Sequence, residues 1–192
     1  MTKPDTFLAH IEPLQGMLAG YARRMLRDPS QIEDVLQAAL RTAYEKFNLY
    51  TEGTNFKAWI FRILTLEIFA ANRRFEQVVK MEVPLDPEAV DWSVAIGREL
   101  DYGQFLENVD SVMDRLDAPL SEALGSLPPI ERSVLLLRAI GGLPYKEIAE
   151  TLDVPMGSAL GYISRARAKL RERLASYASE RGWLDRNRRE GA

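Results

Sequence analysis

Cysteine is absent from the 192 residues and histidine occurs once, at His10. The first absence excludes thiol catalysis, disulfides and cysteine-ligated zinc, and it suits a reducing compartment. The second excludes histidine-based triads and His/Cys metal sites. No G-x-x-x-x-G-K-[ST] phosphate loop and no G-x-G-x-x-G turn occurs. Glu33 and Asp34 are adjacent on one helical stretch and point in different directions, a poor geometry for a catalytic carboxylate pair. No catalytic residue, metal or cofactor is therefore expected. No run approaches the roughly 18 consecutive apolar residues of a membrane helix, so no membrane insertion is expected. The opening Met1-Thr2-Lys3-Pro4-Asp5 has an early acid and no apolar stretch before a cleavage site, unlike a secretory leader. A cytoplasmic protein is the expectation.

The charge that is present is unevenly placed. Net charge is only −3. Yet residues 75–119 hold eleven acids against three bases (Lys80, Arg98, Arg115), while residues 157–192 hold nine bases against four acids. Such a chain can meet a polyanion through its end while its middle repels one.

Hydrophobic periodicity predicts an all-α chain of two small helical domains joined by an acidic linker. Over residues 6–74, helices run almost throughout. One carries Phe7, Ile11, Leu14, Leu18, Tyr21 and Met25. The next follows Ser30, a good N-cap, with Ile32, Val35, Leu36, Ala39, Leu40, Ala43 and Phe47 on one side. A turn at Tyr50-Thr51-Glu52-Gly53-Thr54-Asn55 precedes a third, from about Phe56 to Arg74. The expected divisions are a bundle over 1–75, an acidic linker over 76–118, a second module over 119–178 and a basic tail over 179–192.

The second module holds the sharpest pattern. Tyr145 to Leu152 reads as a short helix, Asp153-Val154-Pro155 as a turn, and the stretch from Met156 or Gly157 as a long helix: the spacing of a helix-turn-helix. Ala149 is small where the helices must cross. Ala159, Ile163, Ala166 and Leu170 form an inward stripe. Ser158, Tyr162, Arg165 and Lys169 lie one residue earlier, a polar and cationic stripe suited to base edges and phosphates.

These residues resemble a known family. The stretch Leu127-Pro128, Glu131-Arg132, Leu135-Leu136-Leu137-Arg138, Gly142-Leu143-Pro144-Tyr145-Lys146-Glu147-Ile148-Ala149-Glu150, Val154-Pro155-Met156-Gly157-Ser158 and Ser164-Arg165-Ala166-Arg167 is similar to region 4 of extracytoplasmic-function (ECF) sigma factors, which reads the −35 promoter element. Asp28-Pro29-Ser30-Gln31-Ile32-Glu33-Asp34-Val35-Leu36-Gln37 resembles the family's region 2.2. Thr54-Asn55-Phe56-Lys57-Ala58-Trp59-Ile60-Phe61-Arg62-Ile63-Leu64-Thr65 resembles its melting and −10 segment.

The resemblance implies a transcription initiation factor that binds core RNA polymerase, through the β′ clamp helices and the β flap, and directs it to promoter DNA. It implies regulation by an anti-sigma factor. Glu33, Asp34, Gln37 and Arg41 become candidates for docking on polymerase. Tyr50, Asn55, Phe56, Lys57, Arg62, Arg73 and Arg74 become candidates for −10 DNA, the aromatic and polar loop taking up a flipped base. Ser158, Leu160, Gly161, Tyr162, Arg165 and Lys169 become candidates for −35 DNA.

Two departures stand out. Leu66 and Ala70 replace asparagines common in the family near the melted strand, implying a different −10 sequence or weaker melting. Leu160, Gly161 and Tyr162 stand where Lys or Arg, Ser, and Arg are frequent, implying an unusual −35 element with fewer guanine-directed contacts. Gly161 costs about 1 kcal/mol of helix propensity, which points to a packing need or a close DNA approach. The alternative function is a sigma mimic that sequesters an anti-sigma protein without binding promoters.

Overall fold

The computed structural model describes residues 3–80 and 118–180, and every regular element among them is helical. Pro13 decides the first break. It has no N–H for a helical bond, and the single helix expected over Phe7 to Met25 is divided into α1 (Lys3–Ile11), a 3₁₀ turn (Glu12–Leu14) and α2 (Gln15–Met25). The start of α3 (Ile32–Glu45) also differs from expectation. Its N-cap is Gln31, not Ser30, without a side-chain capping bond, and Asp28 caps the 3₁₀ turn that precedes it. The Asp28 carboxylate accepts from the Ser30 amide at 3.0 Å and the Ser30 hydroxyl at 2.7 Å, closing this turn (Pro29–Gln31) ahead of the helix. These bonds hold the Asp28 carboxyl below its ordinary pKa.

Helix α4 (Phe56–Lys80) starts as the sequence suggests, with the Asn55 side chain accepting from the Ala58 amide, and continues past Arg74. Its inner face supplies Ile60, Phe61, Leu64 and Ile68, each at most 1% exposed, against α2 and α3. Two polar links lock this packing. The Asn72 amide donates to the Met25 carbonyl at 2.9 Å and accepts from the Arg27 amide at 3.0 Å, satisfying the C-terminal end of α2 from a neighbouring helix. The Tyr21 hydroxyl lies 2.9 Å from that of Thr65, which donates in turn to the Phe61 carbonyl. Full burial raises the Tyr21 pKa to about 12, despite these bonds.

The second module comprises α5 (Ala118–Gly125), α6 (Pro129–Ala139), α7 (Tyr145–Leu152) and α8 (Met156–Glu180). Asp153 ends α7 in the left-handed conformation at φ 56°, and the Val154 amide returns to the Ala149 carbonyl at 3.0 Å. That tight turn sets α8 across α6 and α7 over a core of Leu137, Leu143, Ile148, Ala159, Ile163 and Ala166. The expected helix-turn-helix is present with the expected turn. The acidic linker lies outside the described residues except at its edges, as does the tail beyond residue 180.

The two modules share one continuous core. Helix α2 packs on α5 and α6, and α4 packs on α7. Gly141 shows how tight the seam is: a Cβ there would sit 2.6 Å from the Leu137 carbonyl oxygen and 3.4 Å from the Phe61 ring. Arg132, 6% exposed, spans the seam by donating to the carbonyls of Arg24 at 3.4 Å, Gly125 at 2.7 Å and Leu127 at 3.1 Å. Carbonyls at the ends of α2 and α5 carry the negative ends of two helix dipoles, which suits a buried guanidinium that forms no ion pair among the described residues.

Candidate nucleic-acid interface

Amphipathicity fixes which side of α3 remains outside. Val35, Ala39 and Ala43 are buried, so Glu33, Asp34, Gln37 and Arg41 emerge together on the opposite, exposed side. All four polymerase-docking candidates therefore share one continuous ridge.

The −10 candidates separate into three groups. Tyr50 and Phe56 belong to an aromatic cluster with Phe7, His10, Phe47 and Trp59. The His10 ring stacks on Phe56 at 4.6 Å, and Tyr50 and Trp59 lie 5.5 Å apart. Phe56 is buried, whereas Tyr50 is half-buried and donates its hydroxyl to the Thr54 carbonyl at 2.6 Å. Asn55, Lys57 and Arg62 face the other module. The Asn55 side chain donates to the Glu147 carboxylate, Arg62 donates to the Glu150 carbonyl, and the Lys57 ammonium lies 3.7 Å from where a Gly142 Cβ would stand. Arg73 and Arg74 are exposed farther along α4. Leu66 is 60% exposed, and Ala70 half-buried, on the stretch between Arg62 and Arg73. The apolar departures thus sit within the face that carries the cations.

On α8 the expected stripe is not the most exposed one. Ser158, Gly161, Tyr162, Arg165 and Lys169 are all half-buried, and Arg165 and Lys169 lean towards α6. The reason is Glu131, whose side chain is only 6% exposed and whose two oxygens accept from Arg165 Nε at 3.1 Å and Lys169 Nζ at 2.9 Å. Arg165 also covers the Tyr162 ring at 5.0 Å, and its guanidinium lies 3.3 Å from where a Gly161 Cβ would be. An added Cβ at Gly161 would meet only the far end of that flexible side chain, so packing alone does not require glycine there. The outermost ridge of α8 is Met156, Gly157, Leu160, Ser164 and Ala168, continuing to Arg171.

Sequence reasoning misses Glu131, Glu147 and Met156. Glu131 carries a signal: it precedes Val134 and Leu135 at helical spacing within an apolar run, a position where an acid needs a partner. Glu147 carries none, since its partner Asn55 lies 92 residues away.

The chain matches two family models, sigma-70 region 2 over residues 10–74 and sigma-70 region 4 over residues 117–170. It is 32% identical over 159 residues to the ECF RNA polymerase sigma factor SigE of Mycolicibacterium smegmatis, covering 83% of this chain but only 58% of that protein's length. The RNA polymerase sigma-E factor of Streptomyces coelicolor is 27% identical, with 96% of this chain and 94% of that one aligned. Among solved structures, the sigma factor RpoE in complex with the anti-sigma factor NepR from Bartonella quintana superposes with a TM-score of 0.61 at 26% identity, covering 85% of this chain and 94% of that one. CnrH, in complex with the cytosolic domain of CnrY, shares the fold with a TM-score of 0.62 at 23% identity over 90% of each chain.

Proposed function

The chain belongs to the sigma-70 family, in its ECF branch, and from that premise we propose that it is a transcription initiation factor that binds core RNA polymerase and directs it to specific promoters. The observation that carries this reading is the order of its two regions, a polar docking ridge on α3 and a solvent-facing helix-turn-helix on α8. Glu33, Asp34, Gln37 and Arg41 dock on the polymerase clamp helices. Helix α8 enters the major groove at the −35 element, and Tyr50, Asn55, Phe56, Lys57, Arg62, Arg73 and Arg74 engage and help melt the −10 element. The protein acts by binding, not by catalysis, and in the cytoplasm. No helix among the described residues is long and apolar enough to cross a membrane.

An anti-sigma factor holds it inactive. Support comes from the similarity to RpoE, which was solved with the anti-sigma factor NepR. With α7 against α4, Asn55 bonds to the Glu147 carboxylate and Arg62 to the Glu150 carbonyl, so both side chains are engaged in the closed chain. Engagement of −10 DNA then requires α7 to leave α4.

Run-off transcription with core polymerase and a library of upstream sequences tests the proposal. Selection of a −35/−10 pair is the expected result. Failure to associate with core polymerase, or to select any promoter, contradicts it; capture of an anti-sigma partner without transcript identifies a sequestering mimic instead.

A further inference from the structure

The outer ridge of α8 and the buried carboxylate of Glu131 together define what kind of base edge this helix can read. Residues near the start of a recognition helix reach farthest into the major groove. Here they are Met156 and Leu160, 43% and 44% exposed and one turn apart on the same side. Gly157, Ser164 and Ala168 beside them carry little bulk, so the two apolar side chains project above their surroundings. Of the cations that guanine recognition would need, Arg167 lies on the side of Leu160 but donates to the Tyr145 hydroxyl at 3.1 Å, and the others stand to one side. Arg165 gives its Nε edge to Glu131 and lays its guanidinium over Tyr162, while Lys169 points its ammonium at the same carboxylate. Glu131 is nearly inaccessible, so swinging either cation towards a base would strip a buried carboxylate of a partner. The exposed cations Arg171 and Arg173 follow about 16 Å along the helix from Leu160, at a rise of about 1.5 Å per residue, a reach suited to flanking phosphates and not to the same base step.

The major-groove feature that complements exposed methyl and thioether groups is the C5 methyl of thymine. We infer that Met156 and Leu160 read thymine methyl groups in the −35 element, with Glu131 as the positioning residue that withholds Arg165 and Lys169 from guanine. This rests on α8 being the −35 reader. It adds Met156 and Glu131 as determinants, and it moves Tyr162 from base contact to support of Arg165.

Replacing thymine by deoxyuridine removes only the methyl group. The experiment measures binding of the full-length chain, as holoenzyme with core polymerase, to a library-selected promoter duplex and to the same duplex with deoxyuridine at each protected upstream thymine. The expected result is a loss of about 3- to 10-fold for each contacted thymine. Leu160→Ala, an exposed substitution that leaves the core alone, should bind more weakly and bring the thymine/deoxyuridine ratio close to one. Glu131→Gln should keep that ratio while steepening the salt dependence, as released cations find phosphates. A protected −35 element indifferent to deoxyuridine, or containing no thymine, overturns the inference and leaves the initiation function intact. A ratio unchanged by Leu160→Ala also overturns it. Absence of any upstream protection removes both the inference and the assignment of α8 as reader.

Discussion

Helices α4 and α8 are each 25 residues long, and each carries candidate DNA contacts near its N-terminal end, yet they meet solvent on different terms. The first turns of α8 are open, with Met156 and Leu160 at the surface. At the first turns of α4 the polar side chains are engaged: Asn55 and Arg62, themselves exposed, are bonded to α7, and Lys57 lies against Gly142. The surface proposed for −10 DNA is thus partly engaged by the second module, and an acid of the helix-turn-helix bonds a side chain proposed to contact that DNA. On the proposed function, upstream contact is available in the closed chain and downstream contact waits on opening. The ways to break this asymmetry differ in size because the seam has a buried part and an exposed part.

The largest effect is expected at Arg132. Replacing it with Met keeps apolar volume but leaves the Arg24, Gly125 and Leu127 carbonyls without this donor. A loss of about 3 kcal/mol follows, visible in urea denaturation, and hydrogen exchange at residues 55–62 should speed up as the modules part. Next comes Tyr21, fully buried in α2 beside Ser133 of the second module. It holds its proton to about pH 12 when folded, whereas the unfolded phenol ionises near pH 10. Its contribution is therefore complete below pH 10 and lost as pH rises from 10 towards 12, a fall of about 2 kcal/mol. Comparing Tyr21→Phe with the parent chain by denaturation across that window isolates the term, since the variant lacks it. The smallest effect belongs to Glu147→Ala. The Asn55–Glu147 bond is exposed, so stability should change by about 0.5 kcal/mol or less. Its signature is affinity: single-stranded −10 DNA should bind the free variant more tightly than the parent chain, read by fluorescence anisotropy. Equal affinities would mean that α7 does not compete with DNA.

Local rules make much of this molecule legible in its amino-acid order. The helix-turn-helix is readable because Ala149, Val154 and the 159–163–166–170 stripe obey short-range periodicity, and the α3 ridge because burial of Val35, Ala39 and Ala43 leaves one face free. The departures from expectation within single elements are also local: Pro13 breaks a helix that periodicity alone would continue, and Asp28 caps a 3₁₀ turn that takes up Ser30 ahead of α3. What the sequence does not disclose is the seam. The packing of Phe61 near Gly141, Arg132 on the Arg24 carbonyl and Asn55 on Glu147 joins residues about 80 to 108 positions apart, for which no periodicity exists. The displacement of Arg165 and Lys169 from the outer ridge has the same origin, a partner on another helix.

The natural lack of cysteine makes the closed arrangement directly testable. Ala58→Cys and Glu147→Cys place one thiol on each side of the groove between α4 and α7. A short cleavable bis-thiol cross-linker across that pair should abolish promoter-dependent run-off transcription, and cleaving the linker should restore it in the same sample. Cross-linked protein that initiates as well as its cleaved form would contradict the claim that the two modules must separate for the −10 element to be engaged.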